Sequence, residues 1–307
     1  MTILFAGTPQ NAADTLAELV SAGVPISLVM TRPDAPVGRK RVMTQSPVAQ
    51  MAANLGLPTI KTNVVDDDTL GELGKFKIDM AIVVAFGVLL KKEALESITR
   101  GWFNVHYSLL PRWRGAAPVQ HALLAGDQTT GVTIFKIDEG LDTGEVVGQV
   151  PTKIEVTENA GTLLRRLTKL GISLLLEVLP KIESGFHTFA PQNNSESTQA
   201  PKLGRAHAHI NIFDDSKVIE NQVRACNPEP GAWIEFSSSE LKIHEAYCNP
   251  EATLKPGQLE MLNGRVLLGC AKGCLELIEV QPAGKSRMAA GDWFRGTTSG
   301  LSLGVHV

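Results

Sequence analysis

The chain has 307 residues, enough for two hydrophobic cores rather than one. Its 43% hydrophobic and 20% charged content are ordinary for a globular protein, with nothing depleted enough to suggest disorder, and a net charge of −3 gives no global signature of a nucleic-acid binder. No apolar run reaches the length of a membrane span, and the opening MTILFAGTPQ has neither a basic region nor a long apolar segment, so no secretory leader and a cytoplasmic location are expected.

Ile3 to Ala6, followed by Gly7-Thr8-Pro9, predicts a strand entering a turn. Asn11 is placed to cap a helix running to Ala22, with Leu16, Leu19 and Val20 at helical spacing and Gly23 as its stop. Ile26 to Met30 predicts a second strand, and Pro47 to Leu55 a helix ended by Gly56. Met80 to Ala85 is a continuous apolar run ending in Phe86-Gly87, as in a strand buried on both faces. Trp102 to His106 is another strand. Val132 to Lys136 and Glu145 to Val150 are strand-like and joined by the glycine-rich EGLDTGE, and a long helix is expected over Thr162 to Glu183. Strands alternating with helices imply a mostly parallel α/β sheet, whose ligands bind at the carboxyl ends of the strands.

The stretch PQNNSESTQAPKLG, residues 191–204, is polar, proline-bearing and aperiodic, and reads as an interdomain linker. We take 1–188 as a first domain, 189–206 as the linker and 207–307 as a second, β-rich domain of small-barrel type. Its strand runs are Trp233 to Phe236, Leu241 to His244, Arg265 to Leu268 and Leu275 to Gln281.

Several motifs fail. The first strand ends in Gly-Thr-Pro, so the G-x-G-x-x-G dinucleotide fingerprint is missing; Gly284-Lys285-Ser286 lacks the earlier glycine of a phosphate-binding loop, since Glu279 stands there. Cys270 and Cys274 have no second close pair to complete a metal site, and with Cys226 and Cys248 they read as small, mostly buried, unpaired residues. His207 and His209 would share a strand face as surface histidines. No metal is expected.

The stretch FNVHYSLLPRWRGAAP carries the chemistry. Asn104 and His106 face the same way on one strand, about 6.5–7 Å apart. An amide donor beside a proton carrier suits a carbonyl group passing through a tetrahedral intermediate. Asp142, between Gly140 and Gly144, is a carboxylate that could orient His106 and favour its protonated form. No serine or cysteine lies in a nucleophile elbow, so direct transfer of an acyl-type group is the chemistry suggested. Spacing alone leaves open that Asn104 and His106 satisfy strand-end backbone, that Asp142 is a turn residue, and that Leu109-Leu110-Pro111 is an ordinary turn.

The run FNVHYSLLPRWRGAAPVQHALLAGDQTTGVTIFKIDEGLDTGEVV closely resembles the formyltransferase family that uses 10-formyltetrahydrofolate. FAGTP, VVAFG, NPEPGAWIEF and QPAGK also have counterparts there, so the resemblance covers nearly the whole chain. It implies a Rossmann-like catalytic domain and an OB-like C-terminal domain. By it, Asn104, His106 and Asp142 match the catalytic trio, Ser108, Leu109, Leu110 and Pro111 the folate-contacting motif, and Phe86 and Gly87 the pterin pocket. The long loop and the C-terminal domain point to the branch acting on charged initiator methionyl-tRNA; a monomer is expected. Tyr107 stands where a glycine is common in the family.

The segment TRPDAPVGRKRVMTQSP, residues 31–47, sets Arg32, Arg39, Lys40 and Arg41 against Asp34, a local +3 on a nearly neutral chain. Its prolines and Gly38 predict an irregular surface loop. It follows the second strand at the carboxyl edge, and the resemblance implies that Arg39, Lys40 and Arg41 bind tRNA.

Overall fold

The computed structural model describes residues 1–38, 40–236 and 239–296. The chain divides into two compact units. One comprises Met1–Gly115, Thr129–Lys153 and Leu164–Gln199; the other comprises Ala116–Gln128, Ile154–Leu163 and the chain from Ala200 onward.

In chain order the first unit opens with β1 (Ile3–Gly7), α1 (Gln10–Ser21) and β2 (Ile26–Thr31). Next come β3 (Ala35–Val37), β4 (Val42–Thr44), α2 (Pro47–Asn54), β5 (Thr59–Lys61) and α3 (Asp67–Gly74). Then follow β6 (Met80–Val84), α4 (Lys92–Glu96) and β7 (Trp102–His106). The helix α5 (Pro118–Leu124) belongs to the second unit, and β8 (Thr129–Lys136) and β9 (Val146–Lys153) return to the first. The helix α6 (Ala160–Ser184) joins the first unit from Leu164 on.

Seven strands form one sheet in the order β5-β2-β1-β6-β7-β8-β9. Pairing is parallel from β5 through β7, and antiparallel between β7 and β8 and between β8 and β9. Met80 to Val84 is buried throughout because a central parallel strand has both faces covered. One face packs Leu4, Ala6, Leu28, Met30, Ala81 and Val83 against Phe86, Ala94, Ile98 and Trp102. Strand order reverses between β1 and β6, and that reversal opens a crevice at their carboxyl ends. Gly7 is required there: a Cβ would lie 2.7 Å from that of Ala12 and 2.9 Å from the Val84 carbonyl oxygen. The Thr8 hydroxyl then donates to the Phe86 carbonyl at 2.8 Å and ties the two strand ends together.

Asn11 does not cap α1. Pro9 holds the cap position, and the Asn11 amide, inside the helix, instead donates to the Tyr107 hydroxyl at 3.1 Å. Ser46 does cap α2, accepting from Ala49 N at 3.0 Å.

In the second unit α7 (Ser216–Ala225) packs on α5 and on an antiparallel sheet. That sheet comprises β10 (Trp233–Phe236), β11 (Ser239–Asn249), β12 (Leu259–Leu262), β13 (Arg265–Gly269), β14 (Cys274–Pro282) and the short β15 (Met288–Ala289), followed by α8 (Ala290–Gly296). Its core gathers Ile219, Val223, Ile234, Ile243, Leu268, Leu275, Val280 and Trp293. The stretch 154–163 groups with this unit because Arg224 donates to the carbonyls of Glu158 and Glu155 at 2.7 and 2.8 Å. Cys226, Cys270 and Cys274 are buried thiols, and burial pushes Cys226 up to about 11 and Cys270 up to about 12. His207 and His209 do not share a strand. Residues Arg205–Ala208 form a 3-10 turn, in which His207 Nδ1 accepts from Gly204 N, while the His209 ring lies against Trp233. Among the described residues no helix is long and apolar enough to cross a membrane.

Candidate active site

The strand β7 sets Asn104 opposite Val83 of β6 and Phe135 of β8, and His106 opposite Thr133. Asn104 is half-buried, and its side-chain amide has no hydrogen-bond partner among the described residues. His106 is buried, with its ring edge-on to Phe135. Its Nε2 lies 2.9 Å from the Trp113 carbonyl oxygen. A carbonyl can only accept, so this bond places a ring proton on Nε2 and turns Nδ1 toward Asp142.

The separation between His106 Nδ1 and Asp142 Oδ2 is 3.7 Å, too long for a hydrogen bond but short enough for a strong field in a dry site. Two effects oppose each other at His106. Burial disfavours the imidazolium and is the larger, while Asp142 and the Trp113 carbonyl favour it. The net shift is downward, in favour of the neutral ring. Asp142 does favour the protonated form, as expected, but desolvation outweighs the carboxylate.

Asp142 is fixed by its surroundings. Its Oδ2 accepts from Gly115 N at 2.7 Å, and its own backbone is left-handed, with φ at 53°. Gly144 closes the loop against β8, where a Cβ would come within 1.7 Å of the Lys136 carbonyl oxygen. Ala85, just after β6, and Trp113, in the loop after β7, are two further non-glycine residues held left-handed, at φ of 46° and 65°. Such strain persists only where the surroundings over-determine it.

The loop after β7 is tied down as well. Ser108 is fully buried, and its hydroxyl donates to the Arg112 carbonyl at 2.6 Å. The Thr133 hydroxyl donates to the Ser108 carbonyl and accepts from Leu110 N, and Gln149 donates to the Leu110 carbonyl at 3.0 Å. The Leu110–Pro111 peptide is cis.

Comparison with known proteins follows the same lines. Residues 1–179 match the family described as formyl transferase, and residues 202–298 match the formyl transferase C-terminal domain. The chain belongs to the formyl transferase family. It is 41% identical over 300 residues to the methionyl-tRNA formyltransferase of Clavibacter sepedonicus, covering 97% of this chain and 98% of that one. It is 43% identical over 297 residues to the enzyme of the same name from Arthrobacter sp. (strain FB24), covering 96% and 97%. The fold also resembles the N-formyltransferase of Helicobacter canadensis solved with folinic acid and dTDP-3-aminofucose (TM-score 0.69, 21% identity, 91% of this chain and 98% of that one). HypX from Aquifex aeolicus in complex with tetrahydrofolic acid has a TM-score of 0.65 at 19% identity, covering 95% of this chain and 46% of that one.

In this formyl transferase the residues expected at the folate site divide by exposure. Ser108, Leu110 and Phe86 are buried, and they shape the loops from within; Leu109, Pro111 and Gly87 lie at the accessible edge. Tyr107 is buried between His106 and Ser108, and burial raises its phenol above the usual range.

The segment 31–47 is not an irregular loop. The strands β3 and β4 pair antiparallel as Ala35–Thr44, Pro36–Met43 and Val37–Val42. A two-stranded ribbon has only edges, so the missing N–H of Pro36 can face solvent. The Thr31 and Ser46 hydroxyls, 2.7 Å apart, pin the base, and Asp34 pairs with Lys61 at 2.5 Å. Lys40 and Arg41 are exposed at the tip, while Arg39 lies outside the described residues.

Residues 191–199, expected to be linker, are part of the first unit and touch the site. Gln192 donates to the Asp142 and Gly144 carbonyls, and Trp113 N donates to the Thr198 hydroxyl at 2.9 Å. No periodicity marks such residues, because their bonds reach across 48 and 50 positions of chain.

Proposed function

We propose that this formyl transferase moves the formyl group of 10-formyltetrahydrofolate to the amino group of initiator methionyl-tRNA, in the cytoplasm. The observation that carries the mechanism is the gathering of Asn104, His106 and Asp142 around the carboxyl end of β7. Near full-length similarity to relatives named methionyl-tRNA formyltransferase supports the acceptor.

An α-amine titrates at about 7.7–8.0, and a neighbouring ester lowers that value, so neutral amine is abundant near pH 7.5. The amine attacks the formyl carbon, a C–N bond forms, and the carbonyl pair moves onto oxygen. The Asn104 amide donates to that oxyanion. His106 Nδ1 takes the proton released by the attacking nitrogen, and Asp142 stabilises the imidazolium as it forms. The oxyanion pair then re-forms the carbonyl as the old C–N bond breaks, its electrons leaving with the tetrahydrofolate nitrogen, which takes the proton from His106 and restores the neutral ring. No covalent intermediate with the protein is required; orientation supplies the rest.

Formylation assays with charged initiator tRNA, free methionine and an amino-sugar nucleotide test the acceptor. Only the charged tRNA is expected to be formylated, and only with the folate donor present. Formylation of the sugar nucleotide with none of the tRNA would overturn the assignment.

The β3–β4 hairpin supplies a second expectation. Each phosphate contact released should reduce the salt slope by about one unit, or about 0.7 for single strands. Replacing Arg39, Lys40 and Arg41 by alanine is expected to weaken charged tRNA binding and flatten its dependence on salt, with folate affinity unchanged. Retained affinity and slope would place tRNA recognition elsewhere.

A further inference from the structure

We infer that Gln192 and Arg114 act as a strap that holds Asp142 at its working distance from His106, and are positioning residues for formyl transfer; this rests on the catalytic reading above. The Arg114 guanidinium is buried, with only 5% of the residue exposed. It donates from Nε and Nη2 to Gln192 Oε1 at 3.0 and 2.7 Å, and from Nη2 to Asn194 Oδ1 at 2.9 Å. The other end of the same amide, Gln192 Nε2, donates to the Asp142 and Gly144 carbonyls at 2.9 and 2.7 Å.

These partners fix the orientation of the amide without ambiguity. A guanidinium only donates and a backbone carbonyl only accepts, so Oε1 must face Arg114 and Nε2 must face the loop. Glutamine is the side chain of this length that offers one acceptor and two donors together. Glutamate would lose both donations, and methionine all polar contact. Arg114 is itself held at both ends: its N–H donates to the Thr198 carbonyl at 2.9 Å, and the next residue, Gly115, donates to Asp142 Oδ2 at 2.7 Å. The preceding residue, Trp113, gives its carbonyl to His106 Nε2. The strap therefore links the backbone carrying Asp142 to the turn that orients His106, and closes a ring around the 3.7 Å gap between carboxylate and imidazole. Asp142 needs such support because its left-handed backbone is strained and its link to His106 is a field rather than a hydrogen bond.

The test is a double-mutant cycle of Gln192→Met with Asp142→Asn, read by single-turnover formyl transfer, KM for the folate donor, thermal unfolding and NMR titration of His106. Misplacing a reacting group by an ångström costs up to about 10²-fold. Gln192→Met is expected to lower kcat about 10- to 100-fold and to change KM less than about 3-fold. It should also move the His106 pKa further down, because the raising influence of Asp142 weakens. In the Asp142→Asn background the same substitution should cost less than about 3-fold, since there is no carboxylate left to position. Equal losses in both backgrounds would overturn the strap while leaving the trio intact. A wild-type rate for Asp142→Asn alone would overturn the trio reading instead. If Gln192→Met does not fold, Gln192→Glu keeps an acceptor for Arg114 and enters the same cycle; there too, equal losses in both backgrounds count against the strap.

Discussion

Asn104→Ala is expected to fold as the wild type does and to lose formyl transfer by about 10²–10³-fold, the usual cost of one oxyanion donor. The amide is half-buried and has no protein partner among the described residues, so its removal orphans nothing that the fold needs. Because the donation is strongest in the transition state, the loss should fall on kcat, with KM for either substrate little changed. His106→Ala is expected to lose at least as much rate. Unlike Asn104, it also leaves a void beside Phe135 and removes the bond between Nε2 and the Trp113 carbonyl, so stability should fall by about 1–3 kcal/mol. Single-turnover transfer near the wild-type rate in either folded variant would remove the proposed mechanism.

Asp142→Asn is expected to lower the rate by about 10²-fold with folate affinity nearly unchanged. Its signature lies in the titration of His106. Burial already holds the imidazole below its ordinary 6.5, and Asp142 opposes that push. Neutralising Asp142 removes the opposition, so the His106 pKa moves further down, which NMR of the labelled imidazole reads directly. An unchanged His106 titration would show that the carboxylate does not act through the ring. The same burial has a consequence for stability. The folded imidazole takes up its proton less readily than the unfolded one, so the linked stability is complete above pH 6.5 and is lost as the pH falls from there toward the folded-state value. In the pH–rate profile, an acid limb above 6.5 therefore belongs to the substrate amine rather than to His106.

Much of this protein could be read from the sequence. The runs at Ile3, Ile26, Met80 and Trp102 became strands with parallel neighbours, and those at Ile3 and Met80 are apolar throughout because both of their faces are buried. Asn104 and His106 share a face because side chains alternate along a strand, a local geometry that spacing alone reveals. Other features depended on distant chain. Pro36 and Gly38 suggested an irregular loop, yet their flanks pair as a hairpin whose base is pinned by Thr31 and Ser46. Asn11 looked like a helix cap until Tyr107, 96 positions away, supplied a partner. The polar run 191–204 has the composition of a linker, and composition does not show that Gln192 bonds across 50 positions to the Asp142 carbonyl. The direction in which the His106 pKa moves likewise depends on the tertiary structure. Sequence supplies the carboxylate and the imidazole, but desolvation depends on what surrounds the ring, and here burial outweighs the pull of Asp142.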